Sequence, residues 1–256
     1  MTLPRLIGMV HLGALPGAPD FGGDFDAVMA AAVRDATTLE TAGFDGLMVE
    51  NFGDVPFFAD DVPKVTVAAM TLAVDAVMEA TGLPTGVNVL RNDADAALAV
   101  AAATGASYIR VNVLSGVMYT DQGPIVGKAA QVLRRREALC PEVAILADVF
   151  VKHATPPAGS NLEDAAGDLA ERGGADAIVV TGPATGAATD PDDLAAVRRR
   201  TGLPVYVGSG ADAGSIGSLL AVADGVIVGS SLKVEGDTAQ PVDLDLAVAL
   251  VAAATL

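Results

Sequence analysis

The sequence predicts one α/β domain, a (β/α)8 or TIM barrel spanning residues 1–256. Three observations predict it. Short Val/Ile/Leu-rich runs alternate eight times with Ala-rich helical segments. The runs lack in/out alternation, the pattern of parallel strands covered on both faces. The length of 256 residues matches barrels of about 250 residues. An open, doubly wound sheet is the competing fold. It would carry fewer strands and a nucleotide-type glycine loop after the first one. This chain has His11-Leu12-Gly13-Ala14-Leu15-Pro16-Gly17 there instead.

The strand runs fall at 6–11, 46–50, 85–89, 108–112, 144–148, 177–181, 205–207 and 225–228. Helices are predicted at 25–41, 66–80, 93–103, 127–138, 162–172, 192–200, 215–221 and 242–254. Boundary signals repeat. Asp45-Gly46, Asp176-Ala177 and Asp224-Gly225 each lead into a strand. Thr81-Gly82-Leu83-Pro84 and Thr201-Gly202-Leu203-Pro204 each pair a helix stop with a strand start. Glycine is expected to stop the helix in a left-handed cap, and proline is tolerated where a strand begins.

Composition narrows the function classes. The chain is 52% hydrophobic, enough for a large core, and carries a net charge of -17. Such acidity repels nucleic acid and anionic lipid, so neither is an expected partner. A salt-rich cytoplasm and an Asp-rich codon usage explain it equally well. Arg134-Arg135-Arg136 reads as a solvated helix face. Cys140 is the only cysteine, which excludes an intrachain disulfide or a thiolate cluster; it reads as a structural thiol at a helix end. Residues 1–8 lack a signal-peptide pattern, and the longest apolar run falls far short of the roughly 18 residues of a membrane span. The expected compartment is the cytoplasm, without membrane insertion.

In this fold the residues after each strand face the active-site mouth. Those positions hold His11, Glu50, Asn51, Asn88, Arg91, Asn92, Arg110, Asn112, Asp148, Lys152, His153 and Thr181. A charge inside a barrel is costly unless paired or functional. His11, Glu50, Asp148 and Lys152 are the catalytic candidates. Glu50 and Asp148 suit acid–base work or a divalent cation such as Mg2+, the alternative being a structural ion pair with Arg110 or Lys152. A desolvated Lys152 would also suit a Schiff base. Asn51, Asn88, Arg91, Asn92, Arg110, Asn112, His153 and Thr181 are candidates to orient substrate. Asp121, in the long loop after the fourth strand, joins them, with helix capping as its alternative. The stretch 154–159 reads as a loop, either a lid or a rigid turn.

The last two strands end in Gly208-Ser209-Gly210 and Gly229-Ser230-Ser231. Glycine admits an anion close to backbone N–H groups, and serine adds donors. Barrels commonly bind phosphate there, beside a short helix that residues 212–220 would supply, as in ribulose-phosphate-binding barrels. The alternative is that Gly-Ser only makes tight turns. Lys233 would neutralise the anion or lie on the surface.

The residues also resemble a family. The matching stretches include Met9-Val10-His11-Leu12 with Leu15-Pro16-Gly17, and Val49-Glu50-Asn51-Phe52-Gly53-Asp54-Val55-Pro56-Phe57. They continue through Asn88-Val89-Leu90-Arg91-Asn92-Asp93, Ile109-Arg110-Val111-Asn112-Val113 and Thr120-Asp121-Gln122-Gly123. Leu146-Ala147-Asp148, Lys152-His153, Thr181-Gly182 with Thr185-Gly186, and both Gly-Ser turns complete the set. In that order they resemble the BtpA/SgcQ family over nearly the whole chain. The resemblance implies a barrel protein. One member is associated with photosystem I reaction-centre proteins and another sits in a sugar-metabolism gene cluster. Polar residues would be expected where this chain has Leu114 and Phe150.

Two functions follow as expectations. One is an enzyme of lyase, aldolase or isomerase type, acting on a small phosphorylated metabolite such as a sugar or nucleoside phosphate. The other is a non-catalytic assembly or stability factor. A homo-oligomer is plausible for either.

Overall fold

In the computed structural model, which describes residues 2–182 and 189–255, the expected strands close into a parallel barrel. In chain order the barrel begins with β1 (Leu6–His11), β2 (Gly46–Glu50), β3 (Thr85–Asn88) and β4 (Tyr108–Val111). Next come two strands outside it, β5 (Val117–Thr120) and β6 (Gly123–Val126). β7 (Ala144–Val149) returns to the barrel, and β8 (Ala154–Thr155) leaves it again. β9 (Ala177–Val180), β10 (Val205–Val207) and β11 (Gly225–Val228) finish the cylinder, with β11 pairing back onto β1. The matched Thr185-Gly186 lies outside the described residues.

The antiparallel sheet β6-β5-β8 corrects the loop reading at Thr120, Gly123 and Ala154–Thr155, while 121–122 and 156–159 remain turn and loop. Its strands have four, four and two residues, too short to display a period.

The surrounding helices are α1 (Phe25–Ala42), α2 (Lys64–Ala80), α3 (Ala94–Thr104), α4 (Ala129–Leu139), α5 (Leu162–Asp168), α6 (Pro191–Arg200), α7 (Ile216–Leu220) and α8 (Leu244–Ala254). Part of the Asp excess serves their starts. Asp24, Asp93, Asp190 and Asp243 each accept a first-turn amide. The helix expected over 162–172 changes to a π-turn at Leu169–Gly173. Left-handed glycine caps occur at Gly43 and Gly105, but not at Gly82 and Gly202 as expected. There the helices end at Thr81 and Thr201 in extended backbone, and the Thr81 hydroxyl donates to the Val77 carbonyl at 3.0 Å.

Inside the barrel, alternate residues of each strand stack in layers. Tyr108 and Tyr206 fill the floor, with their hydroxyls donating to the carbonyls of Leu47 at 2.6 Å and Pro4 at 2.8 Å. Met9, Met48, Leu146, Val179 and Ile227 belong to the same interior cluster. Neighbouring strands yield space to the rings. A Cβ added at Gly86 would lie 2.1 Å from the Tyr108 ring, and one at Gly225 2.2 Å from the Tyr206 ring.

Gly86→Ala should therefore destabilise the fold by about 1–3 kcal/mol through overpacking. Urea unfolding measures this, and a double variant with Tyr108→Leu should recover part of the loss. An unchanged midpoint for Gly86→Ala would contradict the packing described.

Candidate functional site

Above the apolar layers the interior turns polar. The register sets His11 beside Glu50 and Glu50 beside Asn88. Arg110 and Asp148 follow Tyr108 and Leu146 at the two-residue spacing that keeps side chains on one face.

Arg110 and Asp148 form the fixed element. Arg110 Nε and Nη2 donate to the two Asp148 carboxylate oxygens at 3.0 and 3.1 Å. Asn112 Nδ2 adds a bond to Asp148 Oδ2 at 2.7 Å. Asn88 Nδ2 braces the Arg110 carbonyl at 3.1 Å. Of the readings open for Asp148, the structure makes the ion pair, with Arg110 as partner. The metal expectation for Glu50 and Asp148 does not fit. Both Asp148 oxygens face cationic or amide donors, and positive charge from Lys152, Arg110 and Arg91 acts on Glu50. Among the described residues no group of three His, Cys, Asp or Glu side chains is placed to hold an ion.

Glu50 and His11 meet differently. His11 Nε2 lies 3.9 Å from Glu50 Oε1, beyond hydrogen-bond distance, and both side chains are 7% exposed. Burial raises the Glu50 pKa, against the opposing pull of Lys152, Arg110 and Arg91. Burial also holds the His11 imidazole down to about 3, helped by the charges of Lys233, Lys152 and Arg110. His11 packs on Phe52 with ring centroids 4.6 Å apart, and its buried Nδ1 has no partner among the described residues. Lys152 is lowered by burial and then by Arg110. Its backbone is held at both ends: the amide donates to Thr181 Oγ1 at 3.0 Å, and the carbonyl accepts from Arg91 Nη2 at 2.6 Å.

Two clefts meet over these groups and share Glu50, Arg110 and Lys152. One is edged by His11, the backbone of 208–211 and that of Gly229 and Ser230. Among the described residues, the amides of Gly210, Ala211, Gly229 and Ser230 donate to no acceptor. A Cβ at Gly229 would come within 2.9 Å of His11 Cε1, so only glycine permits this approach. The other cleft is a cavity of about 420 Å³. Phe52, Val55, Phe57 and Leu90 line it together with Arg91, Asn112, Asp121 and His153. A larger groove, about 700 Å³, lies outside the barrel beside α5 and reaches only Asn112 and Asp148 of the expected set.

Several expected site residues serve the backbone instead. Asn51 Oδ1 accepts from the Leu90 amide at 2.7 Å, and its Nδ2 donates to Asp54 at 3.0 Å. Asn92 clamps Val113, accepting from its amide at 2.7 Å and donating to its carbonyl at 3.0 Å. Asn88 supports Arg110 and Thr181 holds Lys152, so neither lines the clefts. Ser209 Oγ accepts from the Gly182 amide at 2.7 Å, and Ser231 Oγ donates to the Ala211 carbonyl at 2.6 Å. Lys233 is 3% exposed and bonds Asp35 at 3.2 Å and the Gln240 carbonyl at 2.7 Å. It fastens the last turn to α1 instead of facing an anion. The helix expected over 212–220 starts only at Ile216, after a turn organised by Asp212.

The apolar wall was not expected. Its sequence signal is the clustering of three of the chain's seven phenylalanines at 52, 57 and 58, directly after a strand end.

A model of the BtpA family matches residues 2–255. The chain belongs to the BtpA family. It is 50% identical to the photosystem I biogenesis protein BtpA of Synechocystis, over 93% of this chain and 83% of that one. Its fold is similar to Mycobacterium tuberculosis tryptophan synthase, with a TM-score of 0.65, 21% identity, and coverage of 98% of this chain and 93% of that one. It is also similar to phosphoribosyl anthranilate isomerase from Thermus thermophilus, with a TM-score of 0.60, 13% identity, and coverage of 98% of both chains. At such identities the likeness shows the fold alone.

The depressed imidazole has a stability consequence. Between its ordinary 6.5 and about 3, the unfolded chain takes up a proton that folded His11 refuses. Stability is thus lost as pH falls through that window, at about 1.4 kcal/mol per pH unit from this group. Between about pH 7 and pH 5, His11→Gln should lose about 2 kcal/mol less than the parent. Urea unfolding at both pH values measures it; identical losses would refute the assignment.

Proposed function

We propose that this BtpA-family barrel is an enzyme acting on a small phosphorylated metabolite, a sugar or nucleoside phosphate, through proton transfer of the lyase, aldolase or isomerase type. One observation carries the reading. Four backbone amides without acceptors among the described residues edge the same cleft as Glu50, Arg110 and Lys152. Amides at glycine-rich turns are anion donors. An anchored phosphate would hold the adjoining carbons over Glu50. The raised carboxyl can give a proton and, once ionised, take one back, while Arg110 and Lys152 stabilise negative charge on a substrate oxygen. Neutral His11 adds a hydrogen-bonding group beside Glu50. The lowered pKa of Lys152 suits the aldolase variant, in which its free amine attacks a carbonyl. The phosphoribosyl substrate named for the isomerase of like fold supports a phosphorylated ligand. The cytoplasm remains the expected compartment.

Isothermal titration with inorganic phosphate and ribose 5-phosphate tests the anchor. Ser230→Asp, which adds a carboxylate to the cleft edge, should weaken both by at least about tenfold, or 1.4 kcal/mol. Binding by the parent with no loss in the variant would refute the anchor.

Glu50→Gln should raise stability at neutral pH. The folded pKa lies above 4.5, so stability present below that value is lost as pH rises through the folded pKa. A gain over the parent that is equal near pH 4 and near pH 8, or larger near pH 4, would contradict the raised pKa of a buried acid there.

The name of the Synechocystis relative carries a second reading, an assembly factor. The exposed side chains of Val55, Phe58, Tyr119 and Val126 favour it. Full cellular function in a Glu50→Gln/Ser230→Asp double variant would support this reading over the enzyme.

A further inference from the structure

The cavity beyond the phosphate cleft has a chemistry of its own. Phe52, Val55, Phe57 and Leu90 give it apolar surface, which a bare polyol phosphate would leave without a matching group. Arg91 and Lys152 border the same space, and their side chains are donors only. Val55 is 51% exposed, an apolar side chain left open at the mouth. Packing against His11 orients the Phe52 ring. This cavity is continuous in function with the phosphate cleft, because Glu50, Arg110 and Lys152 line both. One ligand reaching from the amides to the apolar wall would pass over the acid–base groups.

We propose that the substrate is a sugar phosphate bearing a planar ring, with the ring's faces against Phe52, Phe57 and Val55 and its acceptor-bearing edge toward Arg91 and Lys152. Apolar side chains take the faces of a heterocycle, and cationic donors take its carbonyl or carboxylate edge. The ring end is thereby held on the far side of Glu50 from the phosphate. A nucleoside monophosphate with a dioxo-pyrimidine ring has these features. The inference rests on the phosphate anchor proposed above and narrows the ligand within it.

Titration calorimetry with ribose 5-phosphate and uridine 5′-monophosphate separates the two claims. The parent should bind the ring-bearing compound at least about tenfold more tightly. Phe57→Ala should remove most of that advantage while leaving ribose 5-phosphate affinity within about twofold. Val55→Asp, at an exposed position, should have the same selective effect, so a folding defect in Phe57→Ala leaves the test intact. Equal affinities in the parent, or equal losses for both compounds in Val55→Asp, would overturn the ring pocket while leaving the anchor standing. Failure of both compounds to bind the parent would overturn the anchor and the ring pocket together.

Discussion

A guanidinium and a carboxylate buried inside a barrel have to satisfy one another, because each has given up most of its contact with solvent. Arg110 and Asp148 do so through a two-bond fork, with Asn112 on the remaining side and Asn88 bracing the arginine's own backbone. Removing such ions from water costs several kcal/mol each, and only geometry of this kind offsets it. The pair is therefore a weak source of stability. Its importance is positional: it fixes a cation at the junction of the two clefts and removes Asp148 from the pool of free carboxylates. The set of groups left available for chemistry follows from that one pairing.

The contrast between the two mouth carboxylates follows. Asp148 is forked by arginine, whereas Glu50, equally buried, faces an imidazole that burial keeps neutral. Glu50 thus gains no ion pair from His11, and burial prevails over the more diffuse pull of Lys152, Arg110 and Arg91. One barrel mouth thus gives its two carboxyls different surroundings, one forked by a guanidinium and one dehydrated without an ion pair. The neighbouring Lys152 is shifted by the same low-polarity setting, in the sense expected for an amine. The site is thus organised by dehydration first and by specific charges second.

Much of this was legible in the sequence because barrel periodicity is a strong signal. Unbroken apolar runs gave the staves, and the residue after each run gave the rim. The barrel strands β1, β2, β10 and β11 begin and end where the apolar runs do. What periodicity cannot supply is direction within the rim. Asn51 and Asn92 follow strands as Asn112 does, yet both turn back onto backbone groups, since a buried loop amide needs a partner as much as a substrate does. The β5–β6 hairpin escaped for a different reason, its strands being too short for any repeat to register. The phenylalanines at 52 and 57 were visible but read as part of a motif, because apolar residues in a loop signal a surface only when their neighbours in space are known.

The two Gly-Ser turns carry the same lesson further. Their serines look like the binding groups, yet Ser209 and Ser231 use their hydroxyls to tie loop to loop, which leaves Ser230 and backbone amides without acceptors among the described residues at the cleft edge. A backbone donor has no letter of its own. Its trace is the glycine beside it, as at Gly229, where any Cβ would collide with His11. Replacing Ser209 or Ser231 by alanine would consequently report on loop packing and would say little about anion contacts. Substitutions that fill or charge the space over the amides address the proposed anion cradle, and the distinction matters because the two kinds of variant would lead to opposite conclusions about the same turn.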